Sequence, residues 1–208
     1  ARCTAPACTA ANAVGVEWVC VVGQYSSMAS GTDGFPVVSY DDVTNAHLKV
    51  ARCGDTACKT GSVLTTVDTN ANTGMFSSLT IGTDGFPVMA YYDKNPGDLK
   101  LAHCGSVSCA TGTTFAVVDI TGDVGKYAAI AIGTDGFPVI ASYRTDGGNL
   151  RYAHCLNAAC SLSALRNVDT NGDVGSFAAM AIGVDGIPVI SYQEIGSGYL
   201  KVARPPAA

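Results

Sequence analysis

The sequence has few charges, few aromatic residues and no long uninterrupted hydrophobic run. Charged residues make up 14% of the 208 residues and hydrophobic residues 48%, whereas a typical soluble domain has roughly 25% charged residues. That balance excludes an intrinsically disordered chain, which combines low hydrophobicity with high charge. Glycine, proline and aspartate interrupt every apolar stretch before it reaches the ~18 residues of a transmembrane helix. We therefore expect a folded chain without a membrane span.

Basic residues are scarce as well. Twelve Lys and Arg are scattered along the chain, and 17 acidic residues bring the net charge to −5. Proteins that bind nucleic acid or an anionic membrane concentrate basic residues on one surface, so neither partner is expected. The first residues show no basic and apolar leader, and we expect any signal peptide to have been removed.

Cysteine, in contrast, is plentiful, and eight of the nine cysteines form pairs with one C-x4-C spacing. Zinc sites usually bring C-x2-C pairs together in fours, whereas these pairs lie about fifty residues apart. We therefore predict a disulfide within each pair and an extracellular or cell-surface location. Cys20 is left over, either buried and inert or available for a bond between chains. The predicted pairs are Cys3 with Cys8, Cys53 with Cys58, Cys104 with Cys109, and Cys155 with Cys160.

One seven-residue motif returns four times and divides the chain into repeats. Gly-Thr-Asp-Gly-Phe-Pro-Val begins at Gly31, Gly82 and Gly133, and Gly-Val-Asp-Gly-Ile-Pro-Val begins at Gly183. The aspartates of the motif are 51, 51 and 50 residues apart. Four β-type runs alternate with turn signals inside each repeat, and no helical periodicity is sustained. Four-stranded units at this period are typical of β-propeller blades.

The third repeat shows the predicted strands most clearly. We predict strand A over 127–133, strand B over 138–143, strand C over 150–155 and strand D over 162–169. An Asp-Gly turn joins strands A and B. The small residues of strand A fit the crowded axis of a propeller that has few blades.

The two ends of the chain complement each other in this scheme. The fourth repeat stops after strand C, near Arg204, and residues 12–17 have the pattern of a strand D. We therefore predict one all-β domain over residues 1–208, a four-bladed β-propeller of four-stranded antiparallel blades closed by a 3+1 clasp of the N- and C-terminal strands. The predicted repeats cover about 25–68, 76–119, 127–169, and 177–204 plus 1–17.

Three strings of the chain are similar to known repeats. They are Asp-Thr-Asn-Gly-Asp-Val-Gly-Ser-Phe-Ala-Ala-Met-Ala-Ile-Gly from Asp169, Pro-Val-Met-Ala-Tyr-Tyr-Asp from Pro87 and Leu-Lys-Leu-Ala-His-Cys from Leu99. In these strings the chain resembles bacterial secreted β-propeller proteins with BNR-like or sialidase-like repeats, which typically show Ser-Tyr-Tyr-Asp followed by Leu-Lys-Tyr-Ala. The resemblance covers essentially the whole chain and implies a propeller, a fold that hosts many activities. The sequence has no Ser-x-Asp-x-Gly-x-Thr-Trp box and no evident arginine triad, which counts against a sialidase.

Acidic residues are concentrated on one predicted face of the propeller. Twelve of the 17 lie in or beside the D-to-A and B-to-C connections, which share a face. Carboxylates accept hydrogen bonds from sugar hydroxyls and coordinate hard cations, but they also initiate turns and keep a weakly charged chain soluble. Both interpretations stay open. The twelve are Glu17, Asp41, Asp42, Asp68, Asp93, Asp98, Asp119, Asp123, Asp146, Asp169, Asp173 and Glu194.

Aromatic and polar residues follow each strand-B proline on the same face. A ring beside a carboxylate is a common sugar-binding pair, because the ring covers C–H groups while the acid takes hydroxyls. Alternatively the tyrosines fill gaps between widening blades, which we favour for the inward-pointing member of each pair. The predicted ligand-binding residues are Tyr40, Asp41, Asp42, Tyr91, Tyr92, Asp93, Tyr143, Arg144, Tyr192 and Glu194.

The D-to-A segments place oxygen-bearing residues at alternate positions, as calcium loops do. The glutamate and glycine offsets of an EF-hand are missing, so Asx turns are the alternative interpretation. No other cofactor is expected to be required. The candidate calcium ligands are Asp119, Asp123, Asp169, Asn171 and Asp173.

These patterns favour a secreted or cell-surface module that binds carbohydrate without catalysis, as a lectin or an adhesion protein does, because repeated weak sites gain avidity. The sequence contains no Ser-His-Asp arrangement, HExxH motif or phosphate-binding loop, and no catalytic residue is predicted. One alternative is a structural matrix or filament protein that exchanges strands between chains. The other is a glycoside hydrolase with paired carboxylates on the acidic face.

Overall fold

The computed structural model describes residues 2–3, 11–12 and 14–205, which fold into strands and loops. Four antiparallel sheets follow one another along the chain, preceded by a short two-stranded hairpin. No helix in these described ranges is long and apolar enough to cross a membrane.

Each sheet is one blade, and its strands pair in chain order. The first blade contains β3 (Val22–Ser30), β4 (Pro36–Asp42), β5 (His47–Arg52) and β6 (Val63–Asp68). The second contains β7 (Met75–Ile81), β8 (Pro87–Asp93), β9 (Asp98–His103) and β10 (Thr114–Asp119). The third contains β11 (Val124–Ile132), β12 (Pro138–Arg144), β13 (Asn149–Cys155) and β14 (Ser163–Asp169). The fourth contains β15 (Val174–Ile182), β16 (Pro188–Glu194) and β17 (Leu200–Ala203), and the hairpin contains β1 (Arg2–Cys3) and β2 (Ala11–Asn12).

This architecture confirms the predicted all-β, four-bladed propeller. The first strand of the third blade begins at Val124 rather than at Tyr127, because two β-bulges let the pairing with β12 continue past the predicted start. The Asp-Gly turns between the first two strands of each blade also form. In the first blade the Asp33 carboxylate accepts a hydrogen bond from the backbone N–H of Phe35 at 3.0 Å, and the glycine takes the positive φ.

The hydrophobic core lies between consecutive blades rather than within one sheet. The junction of the first two blades packs Val37, Leu48 and Val50 against Met89 and Tyr91, and all five side chains are buried. Equivalent clusters fill the second and third junctions. Each blade therefore depends on its neighbours for the burial of its apolar faces.

The fourth blade differs from the others at its outer edge. Among the described strands β17 pairs only with β16, and β1 pairs with β2. Residues 14–21 reach the first blade without forming a strand. The sequence predicts the outer strand of the clasp over residues 12–17. Residues 14–17 form no strand, and residue 13 lies outside the described ranges, so closure of the ring by this clasp stays a prediction.

The fourth and first blades also lack the close approach that joins consecutive blades. The backbone of Gly74 runs so near the first blade that a Cβ atom would lie 2.7 Å from the Cα of Leu48. Gly23, the equivalent glycine of the first blade, has open space around it. Within the described residues the four blades therefore leave a seam between the fourth and the first. The other close pairs are Gly125 with Leu99 and Gly175 with Leu150, each with a Cβ-to-Cα distance of 2.9 Å.

Candidate ligand-binding site

Four aromatic side chains, one from the innermost strand of each blade, form a continuous row near the axis of the propeller. Ring centroids are 4.3 Å apart between Tyr25 and Phe76, 4.7 Å between Phe76 and Tyr127, and 4.5 Å between Tyr127 and Phe177. The rings are tilted by 45° to 58° relative to their neighbours. The row therefore presents ring faces and edges together, as aromatic pairs prefer.

A strained backbone holds each ring in place. The φ angles of the four aromatic residues lie between 50° and 53°, in the left-handed region that bulky residues rarely adopt. Each residue lies within a β-bulge between the first two strands of its blade. A bulge re-aims the side chain at that point, and fourfold repetition of an unfavourable φ indicates that the surrounding structure fixes it.

The row lines one cleft with a volume of about 300 Å³. Two consecutive residues of each blade form its wall, the aromatic residue and the small residue that follows it on the innermost strand. The rings at the two ends are the most exposed, Phe177 at 65% and Tyr25 at 38%. The cleft is thus apolar, open at its ends, and at the small end of the roughly 300–1,000 Å³ range of ligand sites. The lining residues are Tyr25, Ser26, Phe76, Ser77, Tyr127, Ala128, Phe177 and Ala178.

Two predicted tyrosines connect the row to carboxylates. The ring of Tyr92 lies 6.2 Å from that of Phe76, and its hydroxyl donates to Oδ1 of Asp123 at 2.5 Å. Tyr143 repeats this arrangement, with its ring 6.2 Å from Tyr127 and its hydroxyl 2.6 Å from Oδ1 of Asp173. Burial and the hydrogen bond to the carboxylate raise the pKa of both tyrosines. Both hydroxyls therefore stay protonated and orient their acids.

The carboxylates of Asp123 and Asp173 differ in how many of their oxygen atoms accept hydrogen bonds from side chains. Oδ2 of Asp123 accepts a hydrogen bond from Nζ of Lys126 at 2.5 Å. Burial opposes ionisation of Asp123, but the bonds from Lys126 and Tyr92 lower its pKa below the usual value. Asp173 is exposed, and its Oδ1 takes the tyrosine hydroxyl. An exposed, oriented carboxylate beside exposed rings can accept hydrogen bonds from a polyol.

Tyr91 and Tyr192 lie in the blade junctions, as the gap-filling interpretation proposes, and Tyr40 lies at the seam, where it lines a cavity. The hydroxyl of Tyr91 donates to Oδ2 of Asp68 at 2.7 Å, and Nζ of Lys100 contacts the same oxygen at 2.7 Å. Desolvation and the nearby Asp68 carboxylate raise the pKa of Tyr91. Tyr192 meets Asp169 in the same way at 2.7 Å, and Tyr40 meets Glu17 at 2.5 Å. These three rings are buried, so their faces are covered by protein.

The third blade varies this junction. Ser142 replaces the tyrosine, and Arg151 replaces the lysine. The guanidinium of Arg151 donates to Oδ2 of Asp119 from Nε at 2.9 Å and from Nη2 at 2.6 Å. A bidentate guanidinium supplies two charge-assisted hydrogen bonds to one carboxylate, which compensates for the missing hydroxyl.

The other predicted acids also serve the junctions. Asp42 and Asp93 are buried, and their carboxylates lie 3.8 Å and 3.5 Å from Nζ of Lys49 and Lys100. Six of the twelve acids of this face lie within 4 Å of one of four strand-C cations: Glu17, Asp42, Asp68, Asp93, Asp119 and Asp169. Arg144 lies 3.5 Å from Asp146, and Glu194 accepts a hydrogen bond from Ser197 at 2.9 Å.

Asp41 is the exception among the buried acids. It occupies in the first blade the strand position that Tyr92 and Tyr143 hold in the next two. Burial, together with the negative charge of Asp42, raises the pKa of Asp41 to about 6. This carboxyl therefore titrates near neutrality.

The candidate calcium ligands do not converge. Oδ1 of Asp119 accepts from the N–H of Thr121 at 2.9 Å, and Oδ1 of Asp169 accepts from the N–H of Asn171 at 2.9 Å. Both bonds are Asx turns. In the part of the chain that the structure describes, no three acidic, histidine or cysteine side chains group in a way that could hold a metal ion. Calcium binding stays a prediction.

The opposite face carries the disulfide loops. Three of the predicted bonds form, Cys53–Cys58, Cys104–Cys109 and Cys155–Cys160. Cys8 lies outside the described residues, so the fourth predicted bond, between Cys3 and Cys8, stays a prediction. Cys20 is free and exposed, which excludes the interpretation that it is buried.

The spacing of four aromatic residues in the sequence was a signal for the aromatic row. Tyr25, Phe76, Tyr127 and Phe177 are 51, 51 and 50 residues apart, the period of the Asp-Gly motif. Sequence reasoning favoured the tyrosines after strand B because they stand beside acids. It missed the ring that begins each strand A, since only the bulge turns that ring towards the axis.

Solved structures show the same fold. A thermostable family-43 glycoside hydrolase matches with a TM-score of 0.53 and 11% identity over 86% of this chain and 70% of its own. An endo-arabinase from Bacteroides thetaiotaomicron matches with a TM-score of 0.53 and 13% identity over 88% of this chain and 75% of its own. The NanB sialidase from Streptococcus pneumoniae, in complex with 2-[(3-chlorobenzyl)ammonio]ethanesulfonate, matches with a TM-score of 0.57 and 11% identity over 85% of this chain.

The chain spans only 29% of the length of that sialidase. At these identities the likeness concerns the fold. No family model matches the sequence. No curated protein matches it either.

Proposed function

We propose that the protein is an extracellular carbohydrate-binding propeller that holds its ligand in the axial cleft. The observation that carries this proposal is the row of four aromatic rings, each held at a positive φ and all lining one cleft. Sugar rings present apolar C–H faces that stack on aromatic side chains. Strained residues that recur around one cleft point to a functional role.

Polar groups beside the row suit the hydroxyls of a sugar. Asp173 offers an exposed carboxylate that the Tyr143 hydroxyl orients, and the ammonium group of Lys126 lies 5.2 Å from the centroid of the Tyr92 ring. The three fold neighbours described above are carbohydrate-active proteins by name, which supports the same ligand class. Three disulfides fit an oxidising extracellular compartment.

The test is glycan binding by end-of-row variants. The wild-type chain is screened on a glycan array, and the strongest soluble oligosaccharide is titrated by calorimetry. Phe177→Ala and Tyr25→Ala remove the exposed rings, and each is expected to weaken binding by about ten-fold, the range of one aromatic stacking contact. Phe115→Ala is the matched control, because Phe115 is 49% exposed on β10, away from the cleft.

Two results would contradict the proposal: no glycan binds the wild-type chain, or the double variant Tyr25→Ala/Phe177→Ala binds as tightly as the Phe115→Ala control. Circular dichroism of each variant separates a lost contact from a lost fold.

One observation favours a catalytic role as the second candidate. A general acid needs a pKa near the working pH. The Asp41 carboxyl, with a pKa of about 6, meets that requirement, and Asp41 pairs through its backbone with Gln24, the residue before Tyr25. A glycoside hydrolase would require a second carboxylate across the ligand. Turnover of an aryl glycoside that Asp41→Asn abolishes, with glycan binding retained, would establish this candidate over binding alone.

A further inference from the structure

The face of the propeller that carries the D-to-A and B-to-C connections also carries the net charge of the whole chain. Twelve of the 17 acidic residues lie in or beside these connections, against seven of the 12 Lys and Arg. The rest of the chain has five acids and five cations, so the net charge of −5 belongs to this face. A surface of one sign attracts ligands of the opposite charge. The seven cations are Lys49, Lys94, Lys100, Lys126, Arg144, Arg151 and Lys201.

The two cations that flank the aromatic row in the third blade are already paired. Lys126 directly precedes the ring of that blade, and its Nζ donates to Oδ2 of Asp123 at 2.5 Å. Arg144 lies 3.5 Å from Asp146. An anionic ligand would therefore find no unpaired cation among these flanking residues. The residues that precede the other three rings are neutral: Gln24, Met75 and Ser176.

Two acids of the same face, in contrast, pair with no cation among the described residues. Asp173 is exposed, and its Oδ1 accepts the hydroxyl of Tyr143 at 2.6 Å. Asp41 is only 5% exposed, and no group of the described residues donates a hydrogen bond to its carboxyl. Burial of a carboxylate without a hydrogen-bond donor is costly, and a bound cation would offset that cost because it favours the ionised form.

Asp41 holds the strand position that tyrosines occupy in the next two blades. Its backbone pairs with Gln24, the residue before Tyr25, as the backbone of Tyr143 pairs with the residue before Tyr127. The ring of Tyr143 lies 6.2 Å from that of Tyr127. The first blade therefore has a short acidic side chain at the position from which the tyrosine of the third blade reaches the aromatic row.

We propose that the ligand of the axial cleft is an amino-sugar oligomer, a saccharide whose free amines are protonated and positively charged. This inference rests on the proposed carbohydrate-binding function and specifies the ligand class. The π faces of the row attract an ammonium group by cation–π interaction, and the carboxylates of Asp41 and Asp173 attract the ammonium groups of neighbouring sugar units. An oligomer binds better than a single sugar, because linked contacts raise the effective concentration of each other.

The first test compares three β-1,4-linked tetrasaccharides that differ only in the substituent at C2: a free amine in the glucosamine tetramer, an acetamide in the N-acetylglucosamine tetramer and a hydroxyl in the glucose tetramer. Each is titrated by calorimetry against the full 208-residue chain at pH 6. We expect the glucosamine tetramer to bind at least about ten-fold more tightly than the other two.

The outcomes distinguish this inference from the function on which it rests. A neutral glycan that binds as tightly as the glucosamine tetramer, or more tightly, would overturn the amino-sugar proposal and leave carbohydrate binding established. If no tetramer and no glycan of the array binds, both proposals are overturned.

Asp173→Asn and its control Asp185→Asn separate the local carboxylate from the total charge. Both variants remove one negative charge, but Asp185 lies in an Asp-Gly turn on the opposite face, where it pairs with Arg204. Asparagine keeps an Oδ1 that can accept the Tyr143 hydroxyl, so Asp173→Asn should fold. We expect Asp173→Asn to weaken binding of the glucosamine tetramer by about three-fold, the effect of an exposed charge pair, and the control to leave it unchanged. Equal affinities of the two variants would overturn the proposal.

Tetralysine tests whether positive charge without sugar rings is sufficient. It carries ammonium groups but lacks the C–H faces that stack on aromatic rings, and its flexible side chains lose more conformational entropy on binding. We therefore expect it to displace the glucosamine tetramer only at concentrations at least about ten-fold higher than the tetramer itself requires. Displacement at equal concentrations would overturn the amino-sugar proposal in favour of a cationic peptide ligand.

Discussion

The three junctions between consecutive blades and the seam between the fourth and the first are built from equivalent residues, yet among the described residues only the junctions are packed. Leu48 is fully buried and Leu200 is 78% exposed, although both open the third strand of their blade after a B-to-C loop. Burial of this leucine therefore depends on the next blade rather than on its own sheet. In a propeller the unit of stability is the junction, because a single blade cannot cover its own faces.

The electrostatics of the junctions follow the same rule. Asp68 ends the first blade but is bound by Lys100 and Tyr91 of the second. Burial acts to raise its pKa, yet the bonds from Lys100, Asn70 and Tyr91 outweigh burial and lower it. A lowered pKa means that the carboxylate stabilises the fold at neutral pH, and that this contribution is lost as the pH falls below the usual range of aspartate.

The largest expected effect comes from breaking one junction at this acid. Asp68→Ala removes the acceptor of the buried Tyr91 hydroxyl and leaves the Lys100 ammonium group with the Asp93 carboxylate at 3.5 Å. We expect the unfolding free energy to fall by about 3–5 kcal/mol in urea titrations at pH 7. Asp185→Ala is the control, since Asp185 pairs with Arg204 and both side chains are about half exposed. We expect this control to cost much less than Asp68→Ala does, because an exposed ion pair contributes little. Similar costs for the two variants would show that the junction pair is no more important than a surface pair.

The second prediction compares the two leucines directly. Leu48→Ala empties a fully buried position and should cost about 2–4 kcal/mol. Leu200→Ala, measured at a concentration low enough to keep the chain monomeric, should cost less than about 0.5 kcal/mol. A cost above 2 kcal/mol for Leu200→Ala in the monomer would mean that the chain closes its own seam, as the 3+1 clasp predicts.

The sequence predicted the blades but not the row of aromatic rings at the axis, and the reason is physical. The blade repeat, the Asp-Gly turns and the disulfide loops are local patterns that spacing reveals, and all of them form in the described residues. The positive φ of Phe76 and its three equivalents depends on β-bulges, which the alternation of side chains does not reveal. Recognising the candidate site therefore required the backbone conformation, whereas the fold could be predicted from the sequence alone.

The acids show the same division. The sequence predicted that acids are concentrated on one face, but it did not predict which of them form ion pairs. Asp42 and Asp93 pair with Lys49 and Lys100, which lie seven residues further along the chain on the next strand. Only the paired strands show which carboxylates are neutralised and which stay free. Asp41 and Asp42 are neighbours in the chain, yet the pKa of Asp41 is raised and that of Asp42 is lowered.

The smallest expected effect concerns Asp41, a buried acid whose raised pKa comes from burial and from the charge of Asp42. Because its pKa in the folded chain, about 6, lies above the ordinary value of 3.8, the fold prefers the protonated form, and stability falls as the pH rises from about 4 to about 6. Asn mimics that neutral form. We therefore expect Asp41→Asn to raise the unfolding free energy by about 1–2 kcal/mol at pH 7 and to leave it unchanged at pH 4.

Asp146→Asn is the control in the same urea titrations, because the pKa of Asp146 is lowered whereas that of Asp41 is raised. Asp146 accepts a hydrogen bond from the backbone N–H of Asp123 at 2.6 Å, and this bond lowers its pKa. Its replacement should bring no gain in stability at pH 7, because the fold prefers the ionised form. If Asp41→Asn shows the same gain at pH 4 as at pH 7, the gain does not come from the charge. Asp41 would then not differ from the other acids in the way that its raised pKa predicts.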